Sequence, residues 1–311
     1  MRRDISQKIY DLLVIGGGPS GLTAATYAIR KRVETMLLSE DLGGKTNYKF
    51  VLPDIETHYV IDGEELVSKF KSQIEYLDFA RHLDRVTKFD QVASGFVATT
   101  KGGKTFKGRA AIIATGVMPK RLDVPGEEKF LGHGVSYSAL SHAQLFIDMD
   151  VAVVGDGKPA LQAAAELAQI ARKVSVVGVP SKHVGSGLGK ILKASGKVEF
   201  YSEHAVKEIE GKASAEKILI RSKINKSETE IPVRAVFVEL GYVPSTELFA
   251  HLVKTTSDGR IIINERNQTN VPGLFAAGDV TDVNAQQVVI AIGGGANAAL
   301  SAYDYLVSLK T

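Results

Sequence analysis

The sequence predicts an α/β fold of two three-layer domains, each with helices packed on a parallel sheet. Three observations predict it. First, Leu12 to Ile15 is an apolar run followed by Gly16, Gly18 and Gly21 at G-x-G-x-x-G spacing. Leu22, Ala25 and Ile29 then share one helical face. Second, the same strand, glycine turn and helix return at Val151–Val154, with Gly155, Gly157 and Ala160 at G-x-G-x-x-A spacing. Third, 311 residues with 44% hydrophobic and 23% charged content suffice for two ordinary globular cores.

The first glycine turn has a chemical reading. Gly16 permits a tight turn, Gly18 lets the backbone approach a pyrophosphate, and Gly21 lets the helix close on the strand. Exposed N–H groups and the positive end of the helix dipole favour a diphosphate, so Pro19 and Ser20 join these glycines as candidate contacts. The duplicated unit makes both domains Rossmann-like.

The remaining elements follow in order. Glu34 to Ser39 reads as the second parallel strand, and Ser39 and Glu40 lie about twenty residues beyond the glycines, where a ribose-binding acid is expected. Glu40 could serve there, or could simply be solvated. Gly43, Gly44, Lys45 and Thr46 form a turn able to pass close to a flat ring system. In Gly63–Leu77, the spacing of Leu66, Phe70, Ile74 and Leu77 predicts an amphipathic helix. Alternation between about Val86 and Phe106, with a turn at Gly102–Gly103, predicts short antiparallel strands. Arg109 to Pro119 reads as a buried strand ending in a Thr–Gly turn, and the polar stretch from Lys120 to Leu145 as a domain boundary.

In the second unit a helix is expected from Pro159 to about Arg172, then a strand over Lys173–Val177. Ala235–Leu240 reads as a strand entering a turn at Gly241-Tyr242-Val243-Pro244. Strands are also expected at Arg260–Ile263 and Gly273–Val280, and a closing helix from near Gln286 through Ala291 and Ala298 towards Tyr305.

Composition narrows the chemistry. With 38 basic and 35 acidic residues the net charge is +3, which gives no reason to invoke nucleic acid or a membrane surface. No apolar segment is long enough to span a bilayer, and the run after the basic N-terminus is too short for a signal peptide. A cytoplasmic location is therefore expected. There is no cysteine, which excludes disulfides, thiolate metal ligation, Fe–S ligation by this chain and a cysteine nucleophile. No metal site is expected.

The ordered set of motifs resembles the low-molecular-weight thioredoxin reductases, within the pyridine nucleotide-disulfide oxidoreductase superfamily. The resemblance rests on Gly16-Gly17-Gly18-Pro19-Ser20-Gly21, Gly43-Gly44, Ala114-Thr115-Gly116, Leu240-Gly241-Tyr242-Val243-Pro244, and Gly278-Asp279 with Gln287 soon after. It implies a discontinuous FAD domain, residues 1–119 and 243–311, interrupted by a smaller NAD(P)-type domain at 120–242, and it implies a homodimer. It adds Val86, Ala114, Thr115, Gly116, Gly278, Asp279, Gln286, Gln287 and Val288 to the expected FAD contacts. Asp279 would accept a hydrogen bond from a ribityl hydroxyl. Gln287 and nearby backbone N–H groups would face the flavin pyrimidine edge, where a helix dipole favours the anionic reduced ring. His58 and Tyr59 fall near flavin-flanking positions.

Departures from the family pattern are equally informative. The resemblance places Ser138 and Ser141 where family members that reduce thioredoxin have a C-x-x-C pair. Serine forms no disulfide, so a competent thioredoxin reductase is not expected. Asp156 and Pro159 replace a usual glycine and serine, and Val177-Gly178-Val179-Pro180 lacks the arginine that holds a 2′-phosphate. Only Lys182 and His183 lie nearby, so NADPH use is not expected, while NAD(H) or no pyridine nucleotide stays open. Catalytic residues are not identified. His142, Tyr137 and His58 are candidates for proton transfer, each equally readable as packing or surface. The expected function is an FAD-dependent oxidoreductase passing electrons between flavin and a small redox protein or small-molecule carrier. Alternatives are a ferredoxin/flavodoxin–NAD(P) reductase of this fold, or an FAD-binding redox sensor or docking protein with little turnover.

Overall fold

The structure, a computed structural model, describes residues 8–48, 50–52 and 63–311; His58 and Tyr59 lie outside these. The chain divides into two compact units. Unit 1 comprises Met1–Asn47, Asp62–Met118 and Val243–Thr311, and unit 2 comprises Tyr48–Ile61 and Pro119–Tyr242.

In chain order, β1 (Ile9–Ile15) leads into α1 (Pro19–Arg30), then β2 (Thr35–Ser39) and a 3₁₀ turn at Gly44–Asn47. Next come α2 (Gly63–Tyr76), β3 (Arg81–Leu83), β4 (Val86–Val92), β5 (Gly95–Thr100) and β6 (Thr105–Ile113). The chain leaves unit 1 through β7 (Val117–Pro119). Unit 2 contains β8 (Val135–Ser136), α3 (Ala139–His142), β9 (Asp150–Val154), α4 (Lys158–Ile170) and β10 (Lys173–Val177). It continues with α5 (Ser181–Val184), α6 (Gly187–Ala194), β11 (Val198–Tyr201), β12 (His204–Gly211), β13 (Ala215–Ser222), β14 (Glu228–Pro232) and β15 (Ala235–Val238). The return to unit 1 runs through β16 (Tyr242–Pro244), followed by β17 (Leu274–Ala276) and α7 (Val288–Ser308).

The unit 1 sheet runs β3-β2-β1-β6-β5-β4. Its β3, β2, β1 and β6 are parallel, whereas the β4–β5 hairpin joins antiparallel to the first half of β6. β17 pairs parallel with the second half, from Ala111 to Ile113. Period-2 alternation then sorts the side chains into two cores. Leu12 and Val14 pack with α1, α2 and α7, while Leu13 and Ile15 face Phe89, Phe96, Phe106 and Phe249. Each fully buried leucine contributes about 1.5–3 kcal/mol over an exposed one. Unit 2 repeats this logic on an all-parallel sheet, β11-β10-β9-β15-β8. Val151 and Val153 pack against α4, and Ala152 and Val154 against the three-stranded sheet β12-β13-β14.

Several expectations are corrected. Arg260–Ile263 is not a strand: Ile261 makes only isolated bridges, to Thr255 and Thr281. The strand expected over Gly273–Val280 shortens to β17, because Gly278 turns the chain. The β6 strand starts at Thr105 and breaks after Ile113. The buried stripe of α2 runs through Val67, Phe70 and Ile74, leaving Leu66 at 37% exposure. Phe50 and Leu52, expected in the first domain, pack in unit 2 against the cluster containing Ala139 and Phe146. The antiparallel β12–β14 sheet has no counterpart among the elements expected from the sequence.

Unit 1 closes on itself where α7 meets α1. A Cβ added at Gly295 would lie 2.2 Å from the Ser20 carbonyl oxygen, and one at Gly21 would lie 1.9 Å from the Gly16 oxygen. No larger residue fits without separating the backbones. Gly295→Ala is therefore expected to destabilise the protein by about 1–3 kcal/mol through overpacking. Gly293→Ala, where a Cβ meets nothing within 4 Å, is expected to be neutral or to stabilise by up to about 1 kcal/mol. Urea denaturation of both variants checks the contrast.

Candidate functional site

The C-terminal ends of the unit 1 strands gather the candidate cofactor residues. Gly16 ends β1, and Gly18 is the N-cap of α1, with Pro19 at the first helical position and no side chain capping the N-terminus. A Cβ added at Gly18 would meet nothing within 4 Å, so open space lies before the helix start. That space, the uncapped N–H groups and the helix dipole suit a diphosphate such as that of FAD. Ser39 ends β2, Glu40 is exposed, and Ala114-Thr115-Gly116 follows β6. Val86, at the start of β4, is buried in the core.

The 3₁₀ turn carrying Lys45 and Thr46 is fixed from several sides. Gly44 N donates to Asp41 Oδ1 (3.0 Å), Gly43 N to the Gly17 oxygen (2.7 Å), and Thr46 Oγ1 to the Gly43 oxygen (2.8 Å). At Gly44 φ is +56° and a Cβ would lie 3.1 Å from Gly18 Cα, so this turn docks on the glycine turn. Opposite it, Gly278 at φ +79° turns β17 outward and presents Asp279, whose Oδ2 lies 2.6 Å from Lys45 Nζ. Gln286, Gln287 and Val288 open α7, Gln287 being its N-cap, again without a side-chain cap.

Unit 2 holds a different group. Ser138 Oγ donates to Ser141 Oγ at 2.9 Å, and Ser138 also caps α3 by accepting from Ser141 N. Beneath them buried Ser136 bonds His142 Nδ1 at 2.8 Å, and the His142 ring stacks on Phe50 with centroids 4.5 Å apart. Tyr137 donates to Glu127 Oε1 (3.0 Å) while Glu127 also accepts the Leu122 and Asp123 N–H groups. Burial first, and then Glu127, push the Tyr137 phenol far above its ordinary value. His142 and Tyr137 are thus both engaged inside unit 2, in stacking and hydrogen bonding.

Glu239 follows β15 and accepts the Ala139 N–H at 3.0 Å. Burial pushes its carboxyl up to about 7; the Ala139 bond opposes this and the Glu166 charge adds to it. Glu166 is itself raised by burial. A Cβ at Gly155 would lie 2.6 Å from the Glu239 backbone carbonyl oxygen, so the main chain at Glu239 borders the second glycine turn. Asp156 is exposed in that turn.

Sequence reasoning missed Asp41, Ser136, Glu127 and Glu239, and named Gly17 within the glycine motif without a role of its own. A Cβ at Gly17 would lie 2.1 Å from the Asp41 oxygen, a tertiary approach with no local signature. Glu239 had one: it interrupts the apolar run Ala235–Leu240. Among the described residues no His, Asp or Glu cluster could hold a metal ion, and no helix is long and apolar enough to cross a membrane.

Two parallel-sheet units with paired glycine turns define a two-dinucleotide-fold flavoprotein oxidoreductase. Residues 10–295 match the pyridine nucleotide-disulphide oxidoreductase family, and the chain belongs to it. That family binds FAD and pyridine nucleotide. The chain is 32% identical over 300 residues to a component of alkyl hydroperoxide reductase from Staphylococcus aureus, covering 96% of this chain and 59% of that protein. It is 33% identical over 300 residues to a protein named NADH dehydrogenase from Bacillus subtilis, with the same coverages. It thus spans about three-fifths of the length of these curated relatives. Among solved structures it is similar to thioredoxin reductase from Streptococcus pyogenes, with 34% identity, a TM-score of 0.84, and 96% and 99% of the two chains covered. Thioredoxin reductase from Giardia duodenalis matches at 28% identity and a TM-score of 0.85, covering 97% and 100%.

Two outcomes are expected. Glu239 binds a proton more tightly folded than unfolded, so its contribution is fully present below the unfolded value near 4.5 and is lost as pH rises through about 7. Above that, ionisation in place costs up to about 3 kcal/mol. Glu239→Gln should flatten the fall in denaturation free energy between pH 5 and pH 8, relative to wild type. In the double variant Ser138→Cys with Ser141→Cys, the 2.9 Å hydroxyl separation should let both thiols pair within the chain on mild oxidation. Thiol titration before and after oxidation measures this.

Proposed function

We propose that the chain is an FAD-dependent oxidoreductase without a redox disulfide of its own, passing electrons between its flavin and an external carrier. One observation carries the reading: the Ser138 and Ser141 hydroxyls sit 2.9 Å apart, in a sequence that contains no cysteine. A serine alkoxide is inaccessible near neutral pH, so electrons have no internal sulfur relay. FAD supplies the electron chemistry at its ring, and the chain supplies orientation and electrostatics. Gly18, Ser20 and the α1 N-terminus would hold the pyrophosphate, with Glu40 at the ribose and Asp279 at the ribityl chain. Gln287 and the start of α7 would face the pyrimidine edge, where the dipole favours negative charge. The external carrier would be a small redox protein such as ferredoxin or flavodoxin, or a small molecule.

For the second nucleotide the reading favours NADH over NADPH. After β10 the chain runs Gly178-Val179-Pro180-Ser181-Lys182-His183, with Lys182 exposed and no arginine to grip a 2′-phosphate. The name of the Bacillus subtilis relative, NADH dehydrogenase, accords with this.

Anaerobic mixing of the yellow protein with NADH and then with NADPH tests the reading by the visible flavin band. Rapid bleaching by NADH and slow or no bleaching by NADPH is expected. Equal bleaching by both removes the NADH preference. Inertness to both, with bleaching by reduced ferredoxin or flavodoxin, would make the flavin protein-fed. Resistance to every donor would leave a flavin-binding protein with little turnover.

A further inference from the structure

The ion pair between Lys45 and Asp279 joins residues from opposite arms of unit 1, and both sit on anchored backbone. The 3₁₀ turn of Lys45 is held by Asp41, by Gly17 and by Asn47 Nδ2 donating to the Leu42 oxygen (3.1 Å). Asp279 lies in a turn closed by Thr281, whose N–H and Oγ1 both donate to the Gly278 oxygen, at 3.0 and 2.7 Å. The carboxylate is the more shielded partner, with 13% of its side chain exposed against 37% for the lysine. No other positive group is paired with Asp279 among the described residues. Lys71, on α2, donates instead to Asn47 Oδ1 at 3.5 Å.

Such a pair is close to neutral as a unit, but removing the lysine leaves the shielded Asp279 carboxylate without this ammonium. Reduction of a flavin adds negative charge to its ring. An uncompensated carboxylate in the same unit opposes that addition, and removing the carboxylate's charge favours it. We propose that Lys45 is a positioning residue that neutralises Asp279 and thereby sets the redox poise of FAD held in unit 1. The inference rests on the reading that unit 1 binds FAD.

The test is spectroelectrochemical titration of FAD-loaded wild type, Lys45→Gln, Lys45→Arg and Asp279→Asn, with FAD retention on a desalting column as a second readout. At a fixed applied potential Lys45→Gln should shift the reduced-to-oxidised flavin ratio about threefold to tenfold towards oxidised, as expected for one partly screened charge. Asp279→Asn should shift it towards reduced, and Lys45→Arg should match wild type. A clamp that acts only mechanically would weaken FAD retention in both neutralising variants and move neither potential. A Lys45→Gln potential equal to wild type, or one moving in the same direction as Asp279→Asn, overturns the proposal. If Lys45→Gln retains no flavin, Asp279→Asn decides alone: no shift, or a shift towards oxidised, overturns it. Wild-type protein that stays colourless after incubation with excess FAD would instead sink the flavin reading itself.

Discussion

The approach of α7 to α1 is the constraint on which unit 1 depends. Those helices are separated by most of the sequence, and they touch through backbone: Gly295 lies against the Ser20 carbonyl, while Gly21 lets α1 itself close on Gly16. Small residues at the crossing let the last arm of the chain close over the first glycine turn. Gly278 makes the same demand one layer away, where an added Cβ would lie 2.5 Å from Ser20 Oγ. Ser20 is therefore enclosed by segments from both arms. The strand β17 gains its parallel partner only because this closure brings it beside β6. A discontinuous domain is stable here because its two pieces share one sheet and two apolar cores.

That closure also brings charge together. Lys45 arrives on a turn that docks on Gly18, and Asp279 on the turn after β17. The helix starts at Gly18 and Gln287 are both uncapped by side chains, so two positive dipole ends belong to the same unit. Among the described residues, unit 1 thus brings together two helix N-termini without side-chain caps and the Lys45–Asp279 ion pair.

Unit 2 keeps the architecture of a nucleotide fold while its polar groups have a different character. Hydroxyls occupy positions 138 and 141, His142 stacks on Phe50, and a carboxyl raised towards neutrality accepts the Ala139 N–H. Apart from the backbone N–H of Ala139, the groups acting on Glu239 are its own burial and the like charge of Glu166. Its ionisation is therefore costly.

Much of this was legible in the sequence because its signals are local. Gly16, Gly18 and Gly21 stand at the spacing of a strand–turn–helix with an apolar run before them and a helical face after them, and the second unit repeats it at Gly155 and Gly157. The unbroken apolar runs Leu12–Ile15 and Val151–Val154 identified buried parallel strands, since both faces of each are covered. The absence of cysteine was decisive without any coordinates. Other features depend on partners distant in sequence, so no local pattern could reveal them. The β12–β14 sheet, the place of Phe50 in unit 2, the shortening of β17 and the buried stripe of α2 were decided by packing. So was the meeting of Lys45 with Asp279: each residue is ordinary in its own segment, and only the closed fold puts an ammonium within 2.6 Å of that carboxylate. Sequence alone determined the two strand–glycine turn–helix units and the lack of thiols, because periodicity and composition need no knowledge of distant contacts. Tertiary structure decided which charges face one another, because Coulomb energy depends on distance in space.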